Sequence, residues 1–361
     1  MANALTVGSG SVTTIGSWEA DDVSVGQVEA ALSDLRRHEQ RAAVRTSVLT
    51  LVAVVDDHLQ ADAALEVVSD LGSRHPSRTI VLVVGDDERA GDERGGDGDR
   101  SGLDANASVH VMERQGTAIC YEDVVLRVRG RARHHLDSVV GPFTLPEVPV
   151  VVWMPSRLPA PGDPLLGITD RLVVDSRAVP ESHDLLRRIA FLSRGSSVAD
   201  LSWVRLAPWR SLLAGLFEGG VNRPFLSGVR RVTVAGHAGP RHLLGGWLQR
   251  SLGLPLGAVT LSPAEHVSIR LSAEAEGRSG EFVVERPGPD RTIESCIDID
   301  AGPCVRQVVR MRRQWPALSL AQALTGPHDD PTYRRALAGA LDLASAWGPA
   351  GAASPGAEGV G

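Results

Sequence analysis

The chain has 361 residues, which suits two compact domains better than one. Its composition, 43% hydrophobic and 22% charged, is that of a folded globular protein rather than a disordered one. A net charge of -7 argues against non-specific binding to nucleic acid, because that binding needs a basic surface. All 37 basic residues are arginines, so no lysine is present for Schiff-base or general-base chemistry.

The cysteines and the apolar segments indicate in which compartment the protein works. Three cysteines cannot form a disulfide framework for a chain of this length, and we expect reduced thiols. The apolar runs are shorter than the roughly 20 residues that cross a bilayer. The first residues lack the basic and apolar regions of a signal peptide. We therefore expect a cytoplasmic protein without a membrane span.

The distribution of glycine, proline and apolar residues divides the chain into four parts. Residues 155–164 hold four prolines, the composition of an ordered crossover, and we place the boundary between two lobes there. The predicted parts are a flexible N-terminus over 1–16, an N-terminal α/β lobe over 17–160, a C-terminal α/β lobe over 161–325, and a C-terminal helix with a disordered tail over 326–361.

The first lobe is predicted to contain a largely parallel sheet. Apolar residues three and four apart predict a helix over 25–37. Nearly continuous apolar, β-branched runs at 47–55 and 79–84 predict strands covered on both faces, and the helix predicted between them at 59–71 makes a βαβ unit. Residues 85–106 are acidic and rich in Gly and Arg, which predicts a mobile acidic loop.

The second lobe is predicted to be mixed, with antiparallel strands separated by turn residues. Helices are predicted at 180–193, 201–217, 241–252, 305–315 and 333–347. Strands are predicted at 171–175, 229–235, 267–271, 281–285 and 292–299. The fold class is therefore α/β, with two α/β lobes of which the first has a largely parallel sheet.

The most distinctive charge pattern is a row of alternating arginines. Arg127, Arg129 and Arg131 alternate with smaller or apolar residues, so a strand would present all three guanidinium groups on one face. Like charges on one face repel unless an anion neutralises them, and guanidinium binds carboxylate and phosphate well. The face could bind a sugar phosphate, a nucleotide phosphate or an acidic partner, or the chain's own Asp and Glu residues could neutralise it.

A second candidate anion site is the turn over residues 236–240, between a predicted strand and a predicted helix. Gly236 and Gly239 could leave backbone amides free for a phosphate at the helix N-terminus. The turn lacks the lysine and the glycine spacing of a P-loop or a dinucleotide fingerprint. Turns of this composition also serve only to reverse the chain.

Cys296 and Cys304 flank a Gly-Pro turn that could bring the two sulfur atoms within bonding distance. A redox switch is one interpretation, and two ordinary thiols is the interpretation that we favour, because disulfides are rare in the cytoplasm.

Catalytic and metal-binding motifs give no support for an enzyme. His134 and His135 are adjacent, whereas a two-histidine metal site on a helix needs a spacing of four. Cys120 belongs to no recognisable nucleophile motif. We therefore predict no catalytic residue, no metal site and no cofactor.

Several segments, taken in order, resemble the OpcA family. They are the acidic and Arg-rich segment 121–140, the Pro/Val/Trp segment 145–153 and the segment 170–176, after an early helix that leads into the apolar run 45–55. The resemblance covers about residues 20 to 320. The chain departs from the family pattern at Trp153-Met154, where a second aromatic residue is common.

Members of that family are described as glucose-6-phosphate dehydrogenase assembly proteins and, in photosynthetic relatives, as redox-responsive activators of the enzyme. The resemblance implies a non-catalytic partner that supports NADPH supply through the oxidative pentose phosphate pathway. It implies no catalytic residue. The alternative hypothesis is an enzyme or sensor that binds a sugar phosphate or a nucleotide.

Overall fold

The computed structural model describes residues 12–37, 48–72, 77–85, 102–114, 117–179, 184–288, 292–311 and 316–346. Its strands are β1 (Val12–Ala20), β2 (Leu49–Val55), β3 (Ser77–Val83), β4 (Gly102–Arg114), β5 (Thr117–Arg129), β6 (Val150–Met154), β7 (Arg171–Val174), β8 (Ser197–Asp200), β9 (Val229–Gly236), β10 (Val259–Pro263), β11 (Ser268–Ala275), β12 (Arg278–Glu285), β13 (Thr292–Ile299) and β14 (Val305–Arg310). Its α-helices are α1 (Val25–Arg37), α2 (His58–Gly72), α3 (Leu136–Val140), α4 (Leu185–Leu192), α5 (Leu201–Arg205), α6 (Ala207–Gly215), α7 (Arg223–Ser227), α8 (Ala238–Leu252), α9 (Pro316–Thr325) and α10 (Pro331–Ala346).

The chain forms two compact units, and the α/β class with two lobes is confirmed. The first unit extends to Asp175 and also takes Gly195–Ala199 and Trp315–His328. The second unit takes Ser176–Arg194, Asp200–Gln314 and Asp329–Gly361. The chain crosses the division between the two units several times.

The described part of the first unit contains an eight-stranded sheet in the order β1-β4-β5-β3-β2-β6-β7-β8. The pairs β5/β3, β3/β2, β2/β6 and β6/β7 are parallel, whereas β1/β4 and β4/β5 are antiparallel. Every residue of β2 and β3 is buried, as the apolar runs predicted for strands covered on both faces. Helix α1 packs on β4 through Val28 and Leu32, which lie one turn apart.

The described part of the second unit contains a six-stranded sheet in the order β10-β9-β11-β12-β13-β14. Only the β9/β10 pair is parallel, and the other neighbours are antiparallel. The covered face is apolar and carries Phe282, which is fully buried and contacts the rings of Phe217 and Phe225 at centroid distances of 4.4 and 5.7 Å. Helix α8 packs on β9 and β10 and is covered by α10.

Several segments differ from the sequence predictions, among them strands β8 and β10 and helix α7, which were not predicted. Residues 12–16, expected to be flexible, belong to β1, because this polar segment pairs along its length with β4. Residues 102–106 of the expected acidic loop lie in β4, while 86–101 lie outside the described residues. The helix predicted at 305–315 is wrong over 305–310, which form β14 through pairing with β13. Helix α9 was not predicted.

Every helix in the described ranges is too short or too polar to span a bilayer.

Candidate functional site

The arginine row is split between a strand and a turn. Arg127 and Arg129 lie on one face of β5, as predicted. The strand ends at Arg129, and Gly130, with a φ of 60°, begins a 3-10 turn. Arg131 lies in that turn and is exposed. The prediction of three guanidinium groups on one strand face is therefore wrong for Arg131, because glycine allowed the backbone to leave the extended conformation.

A carboxylate of the same chain neutralises part of this arginine face. The register of the antiparallel β4/β5 pair places Asp104 opposite Arg127. The Nη2 of Arg129 lies 2.6 Å from Oδ1 of Asp104, and that oxygen also accepts a hydrogen bond from the backbone N–H of Asp22 at 3.0 Å. The Arg129 side chain is nevertheless 44% exposed. The face is internally paired and still accessible.

The same face of β4 and β5 carries a histidine cluster that sequence reasoning missed. Nε2 of His110 lies 3.2 Å from Oδ2 of Asp123, and its Nδ1 lies 3.1 Å from Oγ1 of Thr14. The His110 ring stacks on Tyr121 with centroids 4.9 Å apart. Burial, and next the charge of Asp123, raise the pKa of Tyr121 to about 12, although a hydrogen bond to Ser69 acts in the opposite direction.

We define the sheet face that carries His110, Tyr121, Asp123, Arg127 and Arg129 as the β4/β5 polar face. These side chains share a face because residues two apart on a strand point the same way, and opposed residues of an antiparallel pair do so too. The cluster comes from two strands that are consecutive in the chain. Only the pairing register, which no local sequence pattern shows, brings it together.

The opposite face of the same strands holds a buried ion cluster around Glu122. Arg78 donates from Nε to Oε2 of Glu122 at 3.0 Å and from Nη1 to the carbonyl of Phe143 at 2.8 Å. Arg36 of α1 donates from Nη2 to the same carboxylate at 3.1 Å. Arg78 and Glu122 are each 7% exposed. Such pairs tie α1, β3 and β5 together, and their burial makes them structural contacts.

The two glycines of the turn at residues 236–240 are packed, while His237 between them is exposed. Gly236, with a φ of 148°, and Gly239 are both buried. A Cβ atom at Gly239 would lie 2.4 Å from Oγ of Ser176, and Arg241 donates from Nη1 to the Gly236 carbonyl at 3.1 Å. Gly239 therefore serves close packing in the second unit, and Gly236 serves a backbone conformation that side chains rarely adopt. The geometry gives the predicted phosphate site no support there.

Cys296 and Cys304 form a disulfide, with sulfur atoms 2.02 Å apart and Cα atoms 5.7 Å apart. The favoured expectation of two ordinary thiols is thus wrong for this pair. The bridge spans the turn between β13 and β14 and joins β13 covalently to the residue that precedes β14. Cys120 is buried and keeps its thiol outside any disulfide.

The described residues contain no group of three or more His, Cys, Asp or Glu side chains that could hold a metal ion. The fold and its surfaces define a two-unit α/β protein in which each unit has its own sheet and the first exposes a charged sheet face.

Family models match both halves of this protein, and both models describe a "Glucose-6-phosphate dehydrogenase subunit". Residues 68–190 match the model of its N-terminal domain, and residues 196–337 match the model of its C-terminal domain. The chain belongs to the OpcA family.

Three cyanobacterial relatives carry the name OxPP cycle protein OpcA. The protein of Synechocystis sp. is 30% identical over 144 residues, which are 38% of this chain and 30% of the relative. That of Nostoc punctiforme is 28% identical over 200 residues, 52% of this chain and 40% of the relative. That of Synechococcus elongatus is 27% identical over 169 residues, 44% of this chain and 37% of the relative. The chain thus spans under half the length of these relatives.

Proposed function

We propose that this chain is a non-catalytic partner of glucose-6-phosphate dehydrogenase that binds the enzyme and promotes its assembly or allosteric activation. The observation that carries the proposal is the match of both halves to domains described as belonging to a subunit of that enzyme. The names of the relatives support a role in the oxidative pentose phosphate pathway, and hence in NADPH supply.

The β4/β5 polar face is the surface that we propose for this binding. Arg127 and Arg129 lie on a strand within a sheet, so their backbone positions are fixed before a partner arrives. The Asp104 carboxylate holds the Arg129 guanidinium group in place, which lowers the entropy lost when a partner carboxylate binds. Arginine is also enriched among the residues that carry most of the binding energy in protein interfaces.

The direct test mixes purified glucose-6-phosphate dehydrogenase with the full-length protein. We expect a complex of higher mass by light scattering and a higher turnover number at saturating substrate. If neither the mass nor the activity changes, under both oxidising and reducing conditions, the proposal is refuted.

A charge reversal tests the surface. The double variant Arg127→Glu/Arg129→Glu should weaken binding about tenfold or more, because it replaces attraction to a partner carboxylate with repulsion. The matched control is Arg270→Glu, which reverses a 52% exposed arginine that pairs with Glu281 on the sheet of the second unit. Equal affinity of wild type, double variant and control would remove this face from the interface and leave the partner role to another surface.

A further inference from the structure

Strand β14 is unusually exposed for a regular strand. All six of its residues, Val305 to Arg310, are exposed. The exposed fractions of the valines are 63% at Val305, 59% at Val308 and 39% at Val309. Among the described strands it is also the last in the sheet order, with β13 as its one neighbour. Its outward edge therefore presents backbone N–H and C=O groups in the pattern that another strand can pair with.

One face of β14 continues the apolar core of the second unit. Ile293 of β13, which is fully buried, is opposite Val309, and Ile297 is opposite Val305. Opposed residues of an antiparallel pair share a face, so both valines lie on the core side of the sheet. Gln307, opposite Ser295, lies between the two valines on this face, so an apolar surface with one polar side chain extends one strand beyond the residues that the helices cover.

The other face of β14 is basic. Arg306, Val308 and Arg310 alternate along it. Arg306 is 63% exposed and lies 3.3 Å from Glu294 of β13. Strand β13 therefore places isoleucines opposite Val305 and Val309 on one face and the carboxylate of Glu294 beside Arg306 on the other.

We propose that β14 is a docking edge that receives an extended, acidic segment of a partner protein by strand addition. The segment would alternate apolar residues, facing the side of Val305 and Val309, with acidic residues, facing the side of Arg306 and Arg310. Main-chain hydrogen bonds give affinity in this mode of recognition, and the alternate side chains give specificity. The inference rests on the proposed function in taking glucose-6-phosphate dehydrogenase as the partner.

Charge makes a second copy of this chain a poor occupant. In a symmetric antiparallel pairing of two β14 strands, opposed residues share a face, so Arg306 could lie opposite only Arg306, Val308 or Arg310 of the other copy. No such register supplies a carboxylate. An acidic strand supplies one, and opposite charges across a strand pair are favourable whereas like charges are not.

The chain itself contains a probe with the required pattern. We would use a fluorescent peptide with the sequence of residues 292–300, in which isoleucines lie at odd positions and acidic residues at even positions. Cys296 is replaced by alanine in this peptide. Its binding to the full-length protein is measured by fluorescence anisotropy. A scrambled peptide and a peptide with lysine at the positions of Glu294, Asp298 and Asp300 are the controls.

We expect the acidic peptide to bind and both control peptides to fail. The double variant Arg306→Glu/Arg310→Glu should weaken peptide binding about tenfold or more. Added salt should weaken the wild-type complex, because Arg306 and Arg310 would bind the acidic residues of the peptide through exposed ion pairs. The variant Arg270→Glu should bind like wild type. All substituted positions are exposed, so the variants should keep the wild-type melting temperature, which circular dichroism checks.

The same variants separate this inference from the proposed function. Loss of dehydrogenase binding in the β14 double variant, together with loss of peptide binding, supports strand addition by that enzyme. Full dehydrogenase binding by the double variant overturns the inference and leaves the proposed function intact. If the enzyme does not bind the wild type but the peptide does, the proposed function fails and the docking edge stands. No peptide binding up to about 1 mM, or a dimer of this chain that the double variant dissolves, overturns the docking edge.

Discussion

Helices α8 and α10 approach each other so closely that the contact leaves no room for a methyl group. A Cβ atom at Gly246 would lie 2.2 Å from the backbone nitrogen of Ala340 and 2.3 Å from the carbonyl oxygen of Ala336. The approach is reciprocal, since a Cβ atom at Gly339 would lie 2.4 Å from the carbonyl oxygen of Gly246. The substitution Gly246→Ala therefore tests this contact directly.

Two opposed effects decide the outcome of Gly246→Ala. Alanine favours the helix over glycine by about 0.5–1 kcal/mol. The new methyl group needs ordinary contact distances, so α8 and α10 must separate by about 1 Å. Overpacking of this kind costs about 1–3 kcal/mol, and the upper end applies because the obstructing atoms are backbone and cannot rotate away. We expect a net loss of about 2 kcal/mol in the free energy of unfolding.

Urea unfolding followed by circular dichroism measures this loss. The control is Gly215→Ala at the end of α6, where the added Cβ atom meets open space. That control should be neutral or slightly stabilising. If Gly246→Ala is as stable as wild type, the helices are not in the contact described and the reasoning fails.

Three further predictions concern buried or covalently linked groups. Glu122→Gln should destabilise the first unit by about 3–5 kcal/mol in urea unfolding, because it removes the carboxylate that pairs with Arg36 and with the buried Arg78; an unchanged midpoint would contradict the buried cluster. Burial is the main cause that raises the pKa of both tyrosines, to about 12 at Tyr121 and well above 10 at Tyr333. The folded state then holds protons that the unfolded state loses, so stability should be complete below pH 10 and fall as the pH rises toward 12; phenolate absorbance of the folded protein near pH 10 would refute this. Cys304→Ser removes the disulfide, so it should abolish any difference between oxidised and reduced protein in melting temperature and in dehydrogenase activation. A difference that persists in the variant would exclude Cys296 and Cys304 as a redox switch.

The sequence predicted the covered strands well, for a physical reason. A strand buried on both faces must be apolar at nearly every position, and β2 shows this as an unbroken run from Leu49 to Val55. Strand β1 offers no such signal. Its residues are small or polar, and it is ordered by pairing with β4, a partner about ninety residues away. A pairing between segments so far apart in the sequence leaves no local sequence pattern that would predict it.

The helix predicted at residues 305–315, where the structure has β14, was wrong for a similar reason. The six residues from Val305 to Arg310 have no buried side chain, so neither helical nor strand periodicity is imposed by a core. What defines the strand is its register with β13 and the disulfide from Cys304 to Cys296. The sequence placed the two cysteines near each other, but the general rarity of cytoplasmic disulfides argued against the bond that the structure contains.

The arginine face was predicted with two alternatives, neutralisation by the chain's own acids or binding to a partner. The structure is compatible with both alternatives at once. The guanidinium group has five N–H donors in a planar fork, and Arg129 uses one nitrogen to contact Asp104 while its side chain stays 44% exposed. Arg306 beside Glu294 has the same character at 63% exposure. An internal carboxylate fixes the orientation of such an arginine and lowers the entropic cost of a second, external contact. Self-pairing is therefore compatible with the acidic partner that we propose for these arginines.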